Sequence, residues 1–340
     1  MSQYAHLSKP DEEIAAALAE VPPRPEELGE DIAAWRNYFE ESVPYMVAPY
    51  KDDLPADTEY RVEDHTVPVD GGEIAVRVII PTRSGAENLT EYPLLVWFHG
   101  GGYFLGSIRL DDYLLRRVAV DNRVVIVNVD YRLAPEFPFP TGLNDGFAAM
   151  KWAVENAAKF SASPSRGFVI GGSSAGGNMS AALALRARDD PFFTNGKKVT
   201  GQLLSIPQVV HPEADLGKYK AEILSREQNK DAPFLTLQDV ISCAQIYGAP
   251  PTDPYYSVLL APSHKGLPPA YLQVCGYDPL RDEGLLYEKV LKENGVPTKL
   301  DVYPGFPHEG HYSLNNTKPA KKFTDDLKAG LRWLLEQAQH

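Results

Sequence analysis

The stretch Gly171-Gly172-Ser173-Ser174-Ala175-Gly176-Gly177 constrains this chain more than any other. It follows an apolar run at 167–170 and precedes the helix-forming residues 179–186. Within it, Gly172-x-Ser174-x-Gly176 fits a nucleophile elbow, a sharp strand-to-helix turn that lifts a serine Oγ above the edge of a sheet. The serine backbone in such a turn is strained, and small flanking residues let strand and helix approach closely enough to hold it. The spacing alone occurs by chance in roughly one chain in ten of this length. A plain Gly-rich turn is the alternative, and the strand-turn-helix setting favours the elbow.

A second glycine cluster strengthens that reading. Residues 93–98 read as a buried strand running into His99-Gly100-Gly101-Gly102-Tyr103. A backbone that aims successive N–H groups at one point has no room for side chains, and consecutive glycines meet that need. Acyl transfer from a serine generates an oxyanion, and each preorganised backbone donor directed at it is worth about 3–4 kcal/mol. Gly101 and Gly102 are the expected donors, with Ala175, the residue after the serine, as the third. His99 is read as a structural histidine bracing the loop. Tyr103 and Phe104, next to that loop, are candidate substrate-binding walls, with ordinary core packing as the alternative.

A nucleophilic serine needs a base, and the base an orienting carboxylate. In α/β sheets the site gathers beyond the carboxyl ends of strands. Asp278 follows the apolar run 270–275, and His308 follows a run at 299–303, five residues past its expected end at Tyr303. The order Ser174, Asp278, His308 is the one expected of α/β-hydrolases. Asp282 and Glu283 rival Asp278 but are expected to cap a helix starting near Gly284. His311 is expected to pack at the rim.

The chain resembles the hormone-sensitive-lipase-like carboxylesterases of the α/β-hydrolase superfamily. The matching stretches are residues 99–103, Asp130 to Glu136, Gly172 to Asn178, Asp278 to Gly284 and Pro307-His308. Ser173 departs from the acidic residue that a large branch of the family has before its nucleophile. The resemblance implies that Asp130, Arg132 and Glu136 are scaffold. It also implies a helical cap formed by residues 1–60 and 206–247, over a core of 61–205 and 248–340; a pair of surface helices remote from the site is the alternative. Ile14 and Leu18, then Ile32, Trp35 and Phe39, lie at helical spacing in the first segment, broken by Pro22-Pro23 and Pro25; Thr236 opens a helix in the second.

Eight extended runs are expected, at 61–68, 73–80, 93–98, 123–129, 167–170, 200–205, 270–275 and 299–303. Helical patterns separate the later ones, so the fold class is α/β, a mostly parallel eight-stranded sheet covered on both faces. The 46 acidic and 33 basic residues give a net charge of −13, which disfavours nucleic acid and anionic membrane surfaces as partners. No apolar run is long enough for membrane insertion, and the first residues carry no signal pattern, so a cytoplasmic protein is expected. Cys243 and Cys275 lack metal-ligand spacing. The expected activity is hydrolysis of small to medium carboxylic esters through an acyl-enzyme, with no metal or organic cofactor. Lactone, amide and formamide bonds remain open, as does a homodimer. A ligand receptor on the same fold is the alternative from another class, and the presence of His308 weighs against it.

Overall fold

The computed structural model describes residues 3–23, 31–82 and 91–338; Pro25 of the expected proline break lies outside them. Eight strands form one sheet: β1 (Tyr60–Val69), β2 (Gly72–Pro81), β3 (Leu94–Phe98), β4 (Val125–Asp130), β5 (Phe168–Ser173), β6 (Gly201–Ser205), β7 (Ala270–Tyr277) and β8 (Thr298–Pro307). Their spatial order is β1-β2-β4-β3-β5-β6-β7-β8. The hairpin β1–β2 turns at Asp70-Gly71 and pairs antiparallel, as does β2 with β4, while every pair from β4 to β8 is parallel.

Side chains on a strand alternate between faces, and β3 shows how that alternation divides the core. Leu94, Val96 and Phe98 join a cluster with Met150, Met179, Leu183 and Tyr287, on the face covered by α4 (Thr141–Asn156), α5 (Ala175–Asp189) and α8 (Arg281–Glu293). Leu95 and Trp97 join Leu115, Val118, Leu331 and Leu334, on the opposite face, beneath α3 (Asp112–Asn122) and α10 (Lys318–Gln337). The central strands are therefore apolar on both faces, as a parallel sheet requires.

β7 and β8 run on past the ends that the sequence pattern implies. β7 continues to Tyr277 and β8 to Pro307, because after an irregularity between Cys275 and Tyr277 the ladder resumes with Tyr277 opposite Pro307. Proline is tolerated there because β8 is the edge strand and its missing N–H costs no ladder bond.

Described helices from the segments outside the alternation pack near the C-terminal ends of these strands. The helix α1 (Glu12–Glu20) buries Ile14 with Cys275, Tyr303 and Phe306. The helix α2 (Ile32–Asp52) packs Val43 and Val47 with Leu110 and Tyr312. Arg36 of α2 donates to Phe104 O at 3.0 Å and Ala134 O at 2.7 Å and pairs with Glu136 at 2.8 Å. After a short turn at Ser225–Gln228 (α6), α7 (Leu237–Tyr247) opens with a reciprocal capping box between Thr236 and Asp239, as its sequence predicts.

Gly330 of α10 lies so close to β7 that a Cβ there would sit 2.1 Å from ring atoms of the fully buried Tyr271. Gly→Ala in a helix interior ordinarily stabilises by about 1 kcal/mol. Here overpacking reverses the sign, and Gly330→Ala is expected to lose about 1–3 kcal/mol in urea unfolding. Unchanged or raised stability would show that α10 slides off Tyr271 freely.

Candidate active site

Three parallel strands deliver the site's side chains from their C-terminal ends. β5 ends at Ser173, and Ser174 takes φ 54° and ψ −114° before α5 begins. A non-glycine residue in such a conformation costs about 1–3 kcal/mol and persists only where its surroundings hold it. They do so here. The Ser174 N–H donates to Ser205 O at 2.9 Å, and a Cβ at Gly176 would fall 2.0 Å from Phe98 O, so the turn crosses the end of β3 at backbone contact.

Asp278 follows β7 directly and His308 follows β8 directly. The Nδ1–H of His308 donates to Asp278 Oδ2 at 2.7 Å, and its Nε2 lies 2.9 Å from Ser174 Oγ. The three residues are 3%, 1% and 8% exposed in that order, so bulk water does not compete for these bonds. Asp278 is itself held: its Oδ1 accepts the Leu280 N–H at 2.8 Å, and its carbonyl accepts from Asn229 at 2.9 Å. Burial pushes the His308 pKa down, but the charge and hydrogen bond of Asp278, with further help from Glu309 and Glu283, carry it above the ordinary histidine value.

The glycine loop sits beside the serine. Gly101 and Gly102 have φ of 112° and 58°; a Cβ at Gly101 would meet Leu105 O at 2.4 Å, and one at Gly102 would meet Cys243 Sγ of α7 at 2.4 Å. Among the described turns and loops, no backbone hydrogen bond uses the N–H of Gly101, Gly102 or Ala175. His99 stacks on Tyr131 at 4.4 Å, and burial lowers its pKa. Tyr103 is buried and stacks on Tyr247 at 3.9 Å. Phe104 lines a groove of about 400 Å³ with Arg36, Phe39, Leu133 and Phe137. Asp130 accepts the Ile108 N–H, Arg132 pairs with Asp145 at 2.7 Å, and Glu136 holds Arg36, all outside the serine–histidine–aspartate line.

Two expectations need correction. Asp282 and Glu283 do lie in the first turn of α8, but their carboxylates do not cap it. Asp282 Oδ2 accepts the N–H groups of Leu224 and Ser225, while Glu283 Oε1 accepts that of Val209 and Oε2 pairs with Arg226 at 2.7 Å. They anchor segment 206–247 to the Asp278 loop, a role set by chain segments remote in sequence. His311 is not at the rim: it is 3% exposed and stacks on Phe323 at 4.4 Å, and burial, with the His308 charge adding, pushes its pKa down to about 3. The stretch after His308 turns inward as the short helix α9 (Gly310–Ser313), where Tyr312 donates to Asp111. Sequence reasoning also passed over Asn229, Arg226 and Glu309; only the adjacency of Glu309 to His308 hinted at its place.

Among the described residues, no cluster of His, Cys, Asp or Glu is arranged to hold a metal ion, and no helix is long and apolar enough to cross a membrane. A family model for the α/β-hydrolase fold matches residues 95–312. The chain is 39% identical over 270 residues to the carboxylesterase NlhH of Mycobacterium tuberculosis, covering 77% of this chain and 79% of that one. It is 38% identical over 250 residues to the versiconal hemiacetal acetate esterase of Dothistroma septosporum, covering 72% and 75%. A crystal structure of vibralactone cyclase superposes with a TM-score of 0.94 at 42% identity, covering 98% and 97%. The chain belongs to the α/β-hydrolase superfamily, in its hormone-sensitive-lipase-like carboxylesterase family. It is a hydrolase of the esterase type.

Arg226 and Glu283 form a buried pair, with side chains 10% and 0% exposed. Removing one charge of such a pair strands the other in a medium that solvates it poorly. Glu283→Gln is therefore expected to lose about 3–5 kcal/mol of stability in denaturant unfolding. A loss under about 1 kcal/mol would show that Arg226 finds water instead.

Proposed function

We propose that the protein hydrolyses small to medium carboxylic esters through a Ser174 acyl-enzyme. The observation that carries this reading is the continuous line from Asp278 through His308 to Ser174, with bonds of 2.7 and 2.9 Å. His308 takes the Oγ proton as Ser174 attacks the ester carbonyl, and Asp278 holds the resulting imidazolium in place. The oxyanion is received by the N–H groups of Gly101, Gly102 and Ala175, which the backbone leaves unused. His308 then returns the proton to the leaving alcohol, and a water that it deprotonates releases the acid. The groove at Phe104, with Phe39, Leu133 and Phe137, supplies apolar surface for a substrate chain. Segments 1–60 and 206–247 act as the cap that closes over it.

The likeness to vibralactone cyclase supports a second reading in which the bond is a lactone. The machinery is the same. Attack of Ser174 on a lactone breaks the ring C–O bond and frees a hydroxyl on the acyl chain, and water then cleaves the serine ester to release the hydroxy acid; in the reverse direction that hydroxyl displaces Ser174 and closes the ring.

Ser174→Ala is expected to lower kcat for p-nitrophenyl butyrate by about 10⁴–10⁶ in a protein that circular dichroism shows to be folded. His308→Ala should fall comparably and His311→Ala by less than about tenfold, because His311 stacks within the core. A dead His311→Ala beside a near-normal His308→Ala would reverse the assignment.

The base works only when neutral, and the folded protein favours its protonated form. The kcat/KM profile should therefore fall as pH drops, with its midpoint above the ordinary histidine value of 6.5. A midpoint below 6.5 would mean that burial outweighs Asp278.

A further inference from the structure

Glu309 is the one acidic neighbour of His308 whose carboxylate has no use in the fold. Asp278 is bound to His308, Glu283 to Arg226, and Asp111 to Trp97 and Tyr312. Among the described residues, no hydrogen bond or ion pair reaches the Glu309 carboxylate. It precedes α9 but does not cap it. Its left-handed backbone, φ 53°, turns the side chain toward the glycine loop. The position that a Cβ at Gly100 would take lies 2.8 Å from Glu309 Oε1, 3.3 Å from Ser173 O and 3.6 Å from Ser174 Cβ. Glycine at 100 thus makes room for this carboxylate beside the nucleophile. Glu309 is half-buried, so it keeps solvent access in a place walled by protein.

Esterases make carboxylates, and an ionised Glu309 at this point repels one. We propose that Glu309 is a charge filter, a specificity-determining residue that admits neutral esters, rejects anionic ligands near Ser174 and expels the carboxylate product. The inference rests on the ester-hydrolase reading for its substrate class and not on the serine mechanism. Like charges a few ångströms apart in a partly hydrated cavity repel enough to weaken binding by about 10- to 100-fold. Burial raises the Glu309 pKa above the ordinary carboxylate value, the charge of His308 opposes that rise and those of Asp111 and Asp278 add to it, so the filter acts at pH values where Glu309 is ionised. The two aspartates are engaged as described, and His308 is neutral in the resting enzyme above its pKa.

The test compares hexanoate with hexanamide, its neutral analogue of similar size, titrated by NMR at pH 8 against wild type, Glu309→Gln and Glu309→Ala. Wild type should bind hexanamide at least tenfold more tightly than hexanoate. Both variants should gain about 10- to 100-fold for hexanoate and change less than about threefold for hexanamide. In wild type, added salt should tighten hexanoate and leave hexanamide unmoved, because screening weakens the repulsion without altering any contact. Hexanoate binding that fails to improve in either folded variant, or that moves in step with hexanamide, overturns the filter. Inhibition of p-nitrophenyl butyrate hydrolysis by hexanoate should follow the same pattern. Absence of that hydrolysis in wild type would count against the serine-esterase reading, while the titrations would still decide the role of Glu309.

Discussion

Everything at this site depends on how closely the turn after β5 crosses the end of β3. With Gly176 at backbone contact with Phe98 and Gly172 packed on the same carbonyl, the two strand ends are locked together. That contact holds Ser174 in a conformation it would leave if free. It also brings the loop at 99–102, which follows the neighbouring strand, alongside the serine. The strain is small against the stability of a fully buried sheet, which is why the sheet can maintain it.

Around that crossing the parallel sheet works as a frame. β7 and β8 pair with each other as far as Tyr277 and Pro307, so Asp278 and His308 leave adjacent strands at the same height. Their side chains need span only one hydrogen bond. The histidine's electrostatics follow from the same geometry. Dry packing disfavours its charge, and a carboxylate at 2.7 Å restores it.

Buried polar groups extend this order to the segment at 206–247. Asn229 reaches the Asp278 carbonyl, Ser225 the Pro279 carbonyl, and Arg226 the Glu283 carboxylate. Each bond is long-range, and each group is costly if left alone. The segment therefore has one low-energy way to sit, and that way positions the loop carrying Asp278. Through Arg36 the first segment likewise grips the carbonyl of Phe104, next to the glycine loop.

The sequence by itself determined the eight strands, their hairpin, the elbow, the glycine loop and the chain order of Ser174, Asp278 and His308. These are read from period-two and period-3.6 apolar patterns, from glycines and from motif spacing, all of which are short-range. Only the tertiary structure decided that β8 runs on to Pro307, that Asp282 and Glu283 serve backbone donors near residues 209 and 224, that His311 turns into the core, and that Glu309 reaches Gly100. A carboxylate or imidazole takes its role from whatever donor or charge the fold brings within about 3 Å. Such partners lie dozens of residues away, where no local pattern records them.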